Sequence, residues 1–198
     1  MSNKPTATTP KIMIIRHAEK PYANKDGKQY LGVTPSGKDD KEALIVQGWQ
    51  RAGALAVLFS PFNKTLQNKE LITPQLLYAS VPGKDKIDDS KSKRPVETIT
   101  PLSQLLQLPI NQTYGAKDFA AMAAEVQLQT VPVLIAWQHQ DIPAIANTIL
   151  GNESAPQQWP GDRFDLVWVF DLNAATGKYT LTQVPQNLLA GDLNTVIE

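Results

Sequence analysis

Two histidines and two arginines of this 198-residue chain sit at positions where an α/β protein can build a site. Arg16 and His17 close and follow the apolar run that starts at Lys11. His139 stands two residues beyond a second apolar run, Val131–Trp137, and Arg94 opens a helical stretch after a third, Leu76–Ser80. In open α/β sheets, ligands bind beyond the carboxyl ends of the strands. The chain has only two histidines, and its nineteen basic residues include four arginines. Arginine is preferred to lysine where a planar fork must grip phosphate oxygens. A neutral imidazole can act as a nucleophile, and a protonated one can bind an anion. Two arginines and two histidines at one sheet edge therefore predict an anion pocket whose natural guest is a doubly charged phosphate. The plainer reading is two loop histidines and solvated arginines.

The elements that would position these residues alternate. The runs at 11–16, 76–80 and 131–137 are continuous rather than alternating in polarity, as suits strands buried on both faces. Helical spacing of apolar residues runs from Glu42 to Phe59 and stops at Pro61. A second helix starts near Pro95, which the first turn tolerates, and reaches about Leu106. Ile110–Tyr114 reads as a short strand. Asp118 is placed to cap a helix over 119–128. Pro143 opens a helix that ends at Gly151 as its C-cap. Phe164–Asp171 and Tyr179–Val184 read as a hairpin around 173–177. Strands alternating with helices predict a three-layer α/β/α sandwich, with a mainly parallel sheet and an antiparallel edge added by the hairpin. Residues 1–10 are expected to be a disordered tail, with a single domain over 11–198. Long surface segments are expected at 18–41 and 81–93.

Composition narrows the function classes. Nineteen basic and nineteen acidic residues give a formal net charge of +0, without the basic excess of a nucleic-acid footprint. There are no cysteines, so disulfides, thiolate metal sites and a cysteine nucleophile are excluded. No apolar run approaches the ~20 residues a membrane span needs, and the first ten residues lack an apolar core. The expectation is a cytoplasmic protein with neither nucleic-acid nor membrane partners. Its oligomeric state is not legible.

Ile14-Ile-Arg16-His17-Ala18-Glu19-Lys20-Pro21 resembles the opening motif of the histidine phosphatase superfamily, the phosphoglycerate-mutase-like proteins, with Ala18 where Arg-His-Gly is usual. The Arg-His-Ala-Glu-Lys-Pro form looks like a small bacterial branch of that group. Further matches follow in order. Gln47–Ala56 is similar to the first helix of the family, and Ser92-Lys-Arg94-Pro-Val-Glu97-Thr98 to its Ser-x-Arg-x-x-x-Thr element. Val133–His139 looks like the strand that delivers its second histidine. The resemblance covers about residues 11–171 and implies the histidine phosphatase fold.

It also implies a metal-independent phosphomonoesterase that needs no cofactor and acts on a small phosphorylated substrate or a phosphoprotein. His17 would be the nucleophile and form a phosphohistidine. Arg16, Arg94 and His139 would hold the phosphoryl oxygens and offset the charge of the transition state. Lys20 and Gln140 are expected to help bind substrate. The general acid has three candidates. Asp118 lies in the stretch after Arg94 where relatives place theirs; its alternative role is the helix cap. Glu19 lies next to the nucleophile; its alternative is an ion pair orienting Arg16. Asp141 follows the second histidine; its alternative is capping the helix at Pro143. The rival functions are a mutase, which returns the phosphoryl group in a closed pocket, and a non-catalytic phosphate-binding protein. Two other signals are set aside. Gly32–Asp39 nearly matches a P-loop but has Asp39 where a hydroxyl must reach magnesium and no buried strand before it. There is no Gly-x-Ser-x-Gly element.

Overall fold

Residues 10–82 and 91–198 are described in a computed structural model of the chain. The expected tail, Pro10 aside, lies outside them, as does 83–90 of the excursion expected at 81–93. In chain order the elements are β1 (Lys11–Arg16), β2 (Tyr22–Ala23), β3 (Gln29–Tyr30), α1 (Val46–Phe59), β4 (Leu76–Ala79) and α2 (Arg94–Leu106). They continue with β5 (Ile110–Asn111), α3 (Phe119–Gln127), β6 (Val133–Trp137), α4 (Ile142–Leu150), β7 (Leu166–Asn173) and β8 (Lys178–Pro185).

Six strands form one sheet in the order β5-β4-β6-β1-β7-β8. The β5-β4-β6-β1 part is parallel, and β7 and β8 add antiparallel pairs at one side. Successive strand residues face opposite sides, so each continuous apolar run feeds two cores. Ile12 and Ile14 of β1, with Ile135 and Trp137 of β6, pack against Met122 and Val126 of α3 and Ile142 and Ile145 of α4. Met13, Ile15, Leu134 and Ala136 face the other way, onto Leu55 and Phe59 of α1 and Ile99 and Leu102 of α2. This is the expected three-layer sandwich. The ladder between β1 and β6 is in register from Ile12↔Val133 to Arg16↔Trp137, and the His17 amide extends it to the Trp137 carbonyl at 2.9 Å. One residue beyond the end of β1 and two beyond the end of the adjacent parallel β6, the chain thus delivers both histidines to one edge. Among the described residues, no helix is long and apolar enough to cross a membrane.

Local differences have physical causes. α1 starts at Val46 rather than Glu42. Leu44 is fully buried in extended contacts instead: its amide donates to Glu97 Oε2 at 2.8 Å and its carbonyl accepts from the Val33 amide at 2.8 Å. The strand expected at 110–114 shortens to Ile110–Asn111, because the Asn111 side chain turns the chain by accepting from the Thr113 amide at 2.9 Å. The segment 18–41 carries a small antiparallel pair, β2 with β3, whose Tyr22 and Tyr30 rings stack 4.7 Å apart. Asp118 makes no side-chain cap on α3; its Oδ2 instead accepts from the Gly115 amide at 3.0 Å and closes a short 3-10 turn.

Candidate active site

At the carboxyl edge of the parallel strands lies a cavity of about 340 Å³. His17, Lys20, Arg94, His139 and Gln140 line it together, with Ser92, Lys117, Gln138 and Asp141. Sequence and cavity therefore agree on five of the expected site residues. Arg16, Asp118 and Glu19 are not on its wall.

His17 is 3 % exposed, with Nδ1 2.7 Å from the Ala18 carbonyl oxygen. A carbonyl only accepts, so Nδ1 carries the proton and Nε2 keeps its lone pair. Burial, then the charges of Arg16, Arg94 and His139, hold the ring's proton affinity well below the usual histidine range. The ring is therefore neutral at neutral pH and fixed in one tautomer. Its backbone is held as well. The Ala18 amide donates to Thr98 Oγ1 at 2.8 Å, and that hydroxyl donates to the Arg94 carbonyl at 2.7 Å. One side chain of α2 thus ties the loop after His17 to the start of the helix that carries Arg94.

Arg16, the last residue of β1, is wholly buried beneath the site. Its Nη1 donates to the carbonyls of Pro160 at 3.1 Å and Arg163 at 2.8 Å, and its guanidinium lies 3.8 Å over the Phe164 ring. Its Nε and Nη2 have no partner among the described residues. Burial lowers its pKa to about 10. Arg94 Nε, Ser92 Oγ and His139 Nδ1 are likewise buried without partners. Burial, with Arg16 and Lys20, lowers the His139 pKa to about 4. Native proteins rarely leave such groups unpaired, and unpaired buried cations are costly. Here four residues with unpartnered polar atoms gather at one sheet edge, and three of them, Ser92, Arg94 and His139, line a cavity that an anion with several acceptor oxygens fits.

The carboxylates are distributed differently from expectation. Glu19 is 6 % exposed and pairs with Arg51, not Arg16: its Oε1 receives Arg51 Nε at 2.9 Å and Nη2 at 2.8 Å. Arg51 is held further by Asp192, at 2.7 and 3.1 Å, and by Gln186 at 3.0 Å. Asp118 is exposed and bound to its own turn. Asp141 is the carboxylate on the cavity wall, 7 % exposed, with Lys117 Nζ 2.9 Å away. Sequence reading missed Lys117, Gln138 and Arg51. Arg51 had a signal: it is one of only four arginines and falls inside an apolar helical pattern. Among the described residues, no group of three or more metal-ligating side chains is gathered.

No family model and no curated protein matches the chain. Solved structures do. The α-ribazole phosphatase from Shigella flexneri is similar over 95 % of this chain and 98 % of its own, at 15 % identity and a TM-score of 0.51. The protein histidine phosphatase SixA, complexed with tungstate, covers 89 % and 97 % at 13 % identity and a TM-score of 0.51. A phosphoserine phosphatase mutant from Entamoeba histolytica, complexed with phosphoserine, covers 87 % and 95 % at 12 % identity and a TM-score of 0.51. The chain therefore has the histidine phosphatase (phosphoglycerate-mutase-like) fold.

Proposed function

We propose that the protein is a metal-independent phosphomonoesterase that works through a phosphohistidine on His17. The observation that carries this is the pairing of a neutral, single-tautomer imidazole with unpartnered, buried polar groups of Ser92, Arg94 and His139 on the wall of the same cavity, and of Arg16, the wholly buried neighbour of His17 at the end of β1. The phosphoryl group of the substrate supplies the acceptors these groups lack. The Nε2 lone pair of His17 attacks phosphorus, the ester P–O bond breaks, and the leaving oxygen takes a proton. Water then attacks the phosphohistidine, the P–N bond breaks, and the electron pair returns to Nε2 as phosphate leaves. Arg16, Arg94 and His139 hold the non-bridging oxygens while charge moves through the transition state, and Lys20 and Gln140 stand at the rim. His139 takes up a proton as the dianion arrives, because an opposite charge favours the imidazolium.

Proton transfer at the leaving oxygen falls to Asp141, the carboxylate on the wall of the His17 cavity, which neither Asp118 nor Glu19 lines. It delivers a proton to the leaving alkoxide and removes one from the attacking water. The test is hydrolysis of an aryl phosphate with EDTA present, in wild type and His17→Ala. Turnover that vanishes in the variant, with acid-labile phosphate trapped on the wild type, supports the reading. A phosphate-binding protein without turnover is the competing outcome: phosphate raises the melting temperature but no product forms. On an alkyl phosphate, Asp141→Asn is expected to slow turnover by about 100-fold and Asp118→Asn by little.

A further inference from the structure

A second cavity, of about 410 Å³, adjoins the first and shares Lys20 with it. Phe164 on its wall lies 6.2 Å from the His17 ring, centroid to centroid. A Cβ at Gly161, also on that wall, would stand 3.9 Å from His139 Nε2. A leaving group projecting from a phosphate at His17 can therefore enter it.

Its chemistry is opposite to that of the first cavity. Four carboxylates line it, from Glu19, Asp162, Asp165 and Asp192, against the cations of Arg51 and Lys20. Most of this charge is already matched. Asp192 takes Arg51 and the amides of Leu188 and Leu189. Asp165 takes Arg163 Nε at 2.7 Å and the Leu193 amide at 2.7 Å. Two acceptors remain. Asp162 is exposed at the mouth. Glu19 Oε2 is buried and has no partner among the described residues, although Arg51 fixes the other oxygen of the same carboxylate. Tyr22 and Phe164 add aromatic surface. A buried carboxylate oxygen held in place, a second carboxylate and aromatic rings form a receptor for an organic cation.

Resting on the phosphomonoesterase reading, we propose that this cavity is the leaving-group subsite, and that it selects phosphomonoesters whose leaving group carries a primary ammonium. The unpartnered groups of the first cavity take the phosphate, and Glu19 Oε2 with Asp162 takes the ammonium. The substrate class is a zwitterion, an aminated alcohol or sugar bearing one phosphate. A leaving group bearing a carboxylate is disfavoured, because it meets Glu19.

The test measures binding, so it does not depend on turnover. Calorimetry on the full chain compares two non-hydrolysable probes, 4-(aminomethyl)phenylphosphonate and 4-methylphenylphosphonate. The aminated probe is expected to bind about tenfold tighter, the value of one charge-assisted hydrogen bond. The ratio should fall toward one in Glu19→Gln and by several-fold in Asp162→Asn, whose exposed side chain makes misfolding of that variant no concern. Equal affinities in wild type, or a preference that survives both substitutions, overturns the proposal. If the preference holds while the aryl phosphates corresponding to the two probes are not hydrolysed with EDTA present, the subsite stands and the phosphomonoesterase reading fails. Hydrolysis with no preference gives the converse.

Discussion

Gly48 tests whether His17, the proposed nucleophile, is held by backbone packing as the structure implies. The first turn of α1 sits directly on the Glu19 backbone, two residues after His17: the Ile45 amide donates to the Glu19 carbonyl at 3.1 Å. A Cβ built on Gly48 would stand 2.6 Å from the Glu19 carbonyl oxygen, 3.1 Å from the Glu19 nitrogen and 3.1 Å from Leu44 Cβ. Reaching an ordinary contact of 3.4 Å demands a separation of about 0.8 Å, and two of the three obstacles are backbone. The peptide that must give way follows Ala18, whose carbonyl fixes the His17 tautomer. Alanine gains about 1 kcal/mol over glycine from helix propensity, while overpacking of this kind costs about 1–3 kcal/mol. The net for Gly48→Ala is a loss of about 1 kcal/mol, or a melting temperature lower by about 2–4 °C. A displacement of about 1 Å at a reacting group can cost about 100-fold in rate. We expect kcat/KM on an aryl phosphate to fall by at least about tenfold by the same reasoning. Gly53, in the same helix, is exposed and meets nothing within 4 Å, so Gly53→Ala is the control. It should melt higher by a similar amount with an unchanged rate. Two alanine variants that behave alike, both more stable and both fully active, would refute the account of how His17 is held.

Two further outcomes follow from the same geometry. Thr98→Val removes the acceptor of the buried Ala18 amide and the donor to the Arg94 carbonyl, so it should cost about 1–3 kcal/mol in urea unfolding; Thr98→Ser, which keeps the hydroxyl, should restore most of that stability. His139 titrates near 4 in the folded chain and near its ordinary 6.5 in the unfolded one, so the unfolded state binds the proton first as pH falls. Its contribution to stability is complete above about pH 6.5 and is lost as pH drops toward 4, by about 1 kcal/mol after discounting for its partial exposure. His17, held low by burial, adds a slope of the same sign, so thermal unfolding across that range should show the slope and His139→Gln should reduce it without abolishing it, whereas an equal slope in the variant would assign the whole effect to other groups.

What the sequence made legible was whatever is local to a strand and its end. A continuous apolar run of five or six residues stopping at Arg16 or Trp137 marks a buried parallel strand, and the residues just after it are then at a known edge. The same rule found Arg94, because Pro95 announces the first turn of the helix after β4. What was not legible depends on partners far along the chain. Glu19 was expected to pair with its neighbour Arg16, yet it pairs with Arg51, which is locked by Asp192 at the other end of the sequence. The early start expected for α1 failed for the same reason: Leu44 has the right spacing for the helix, but its amide is claimed by Glu97. Asp118 has the right type and place for a helix cap, and a turn three residues long competes for it. Each miss is a tertiary bond prevailing over a local preference.

The distribution of unpaired groups carries the functional argument further than residue identity does. Six buried side-chain polar atoms lack partners among the described residues. Chance would scatter them, and a fold under selection for stability alone would pair them or replace them with apolar side chains. Instead, the unpartnered atoms of Arg16, Ser92, Arg94 and His139 gather where two parallel strands end, and the Glu19 carboxylate oxygen lies two residues from His17. Arg94 has Glu42 at 3.9 Å, and Glu19 and Asp162 act on Arg16 across a longer range, but Arg51 takes up Glu19 and Asp192, and the Gly115 turn takes up Asp118. The cationic edge is therefore only partly neutralised by its neighbours. On the phosphomonoesterase reading proposed above, such unpaired groups cost stability that an anion with several oxygens would restore, as a site preorganised for phosphoryl transfer requires.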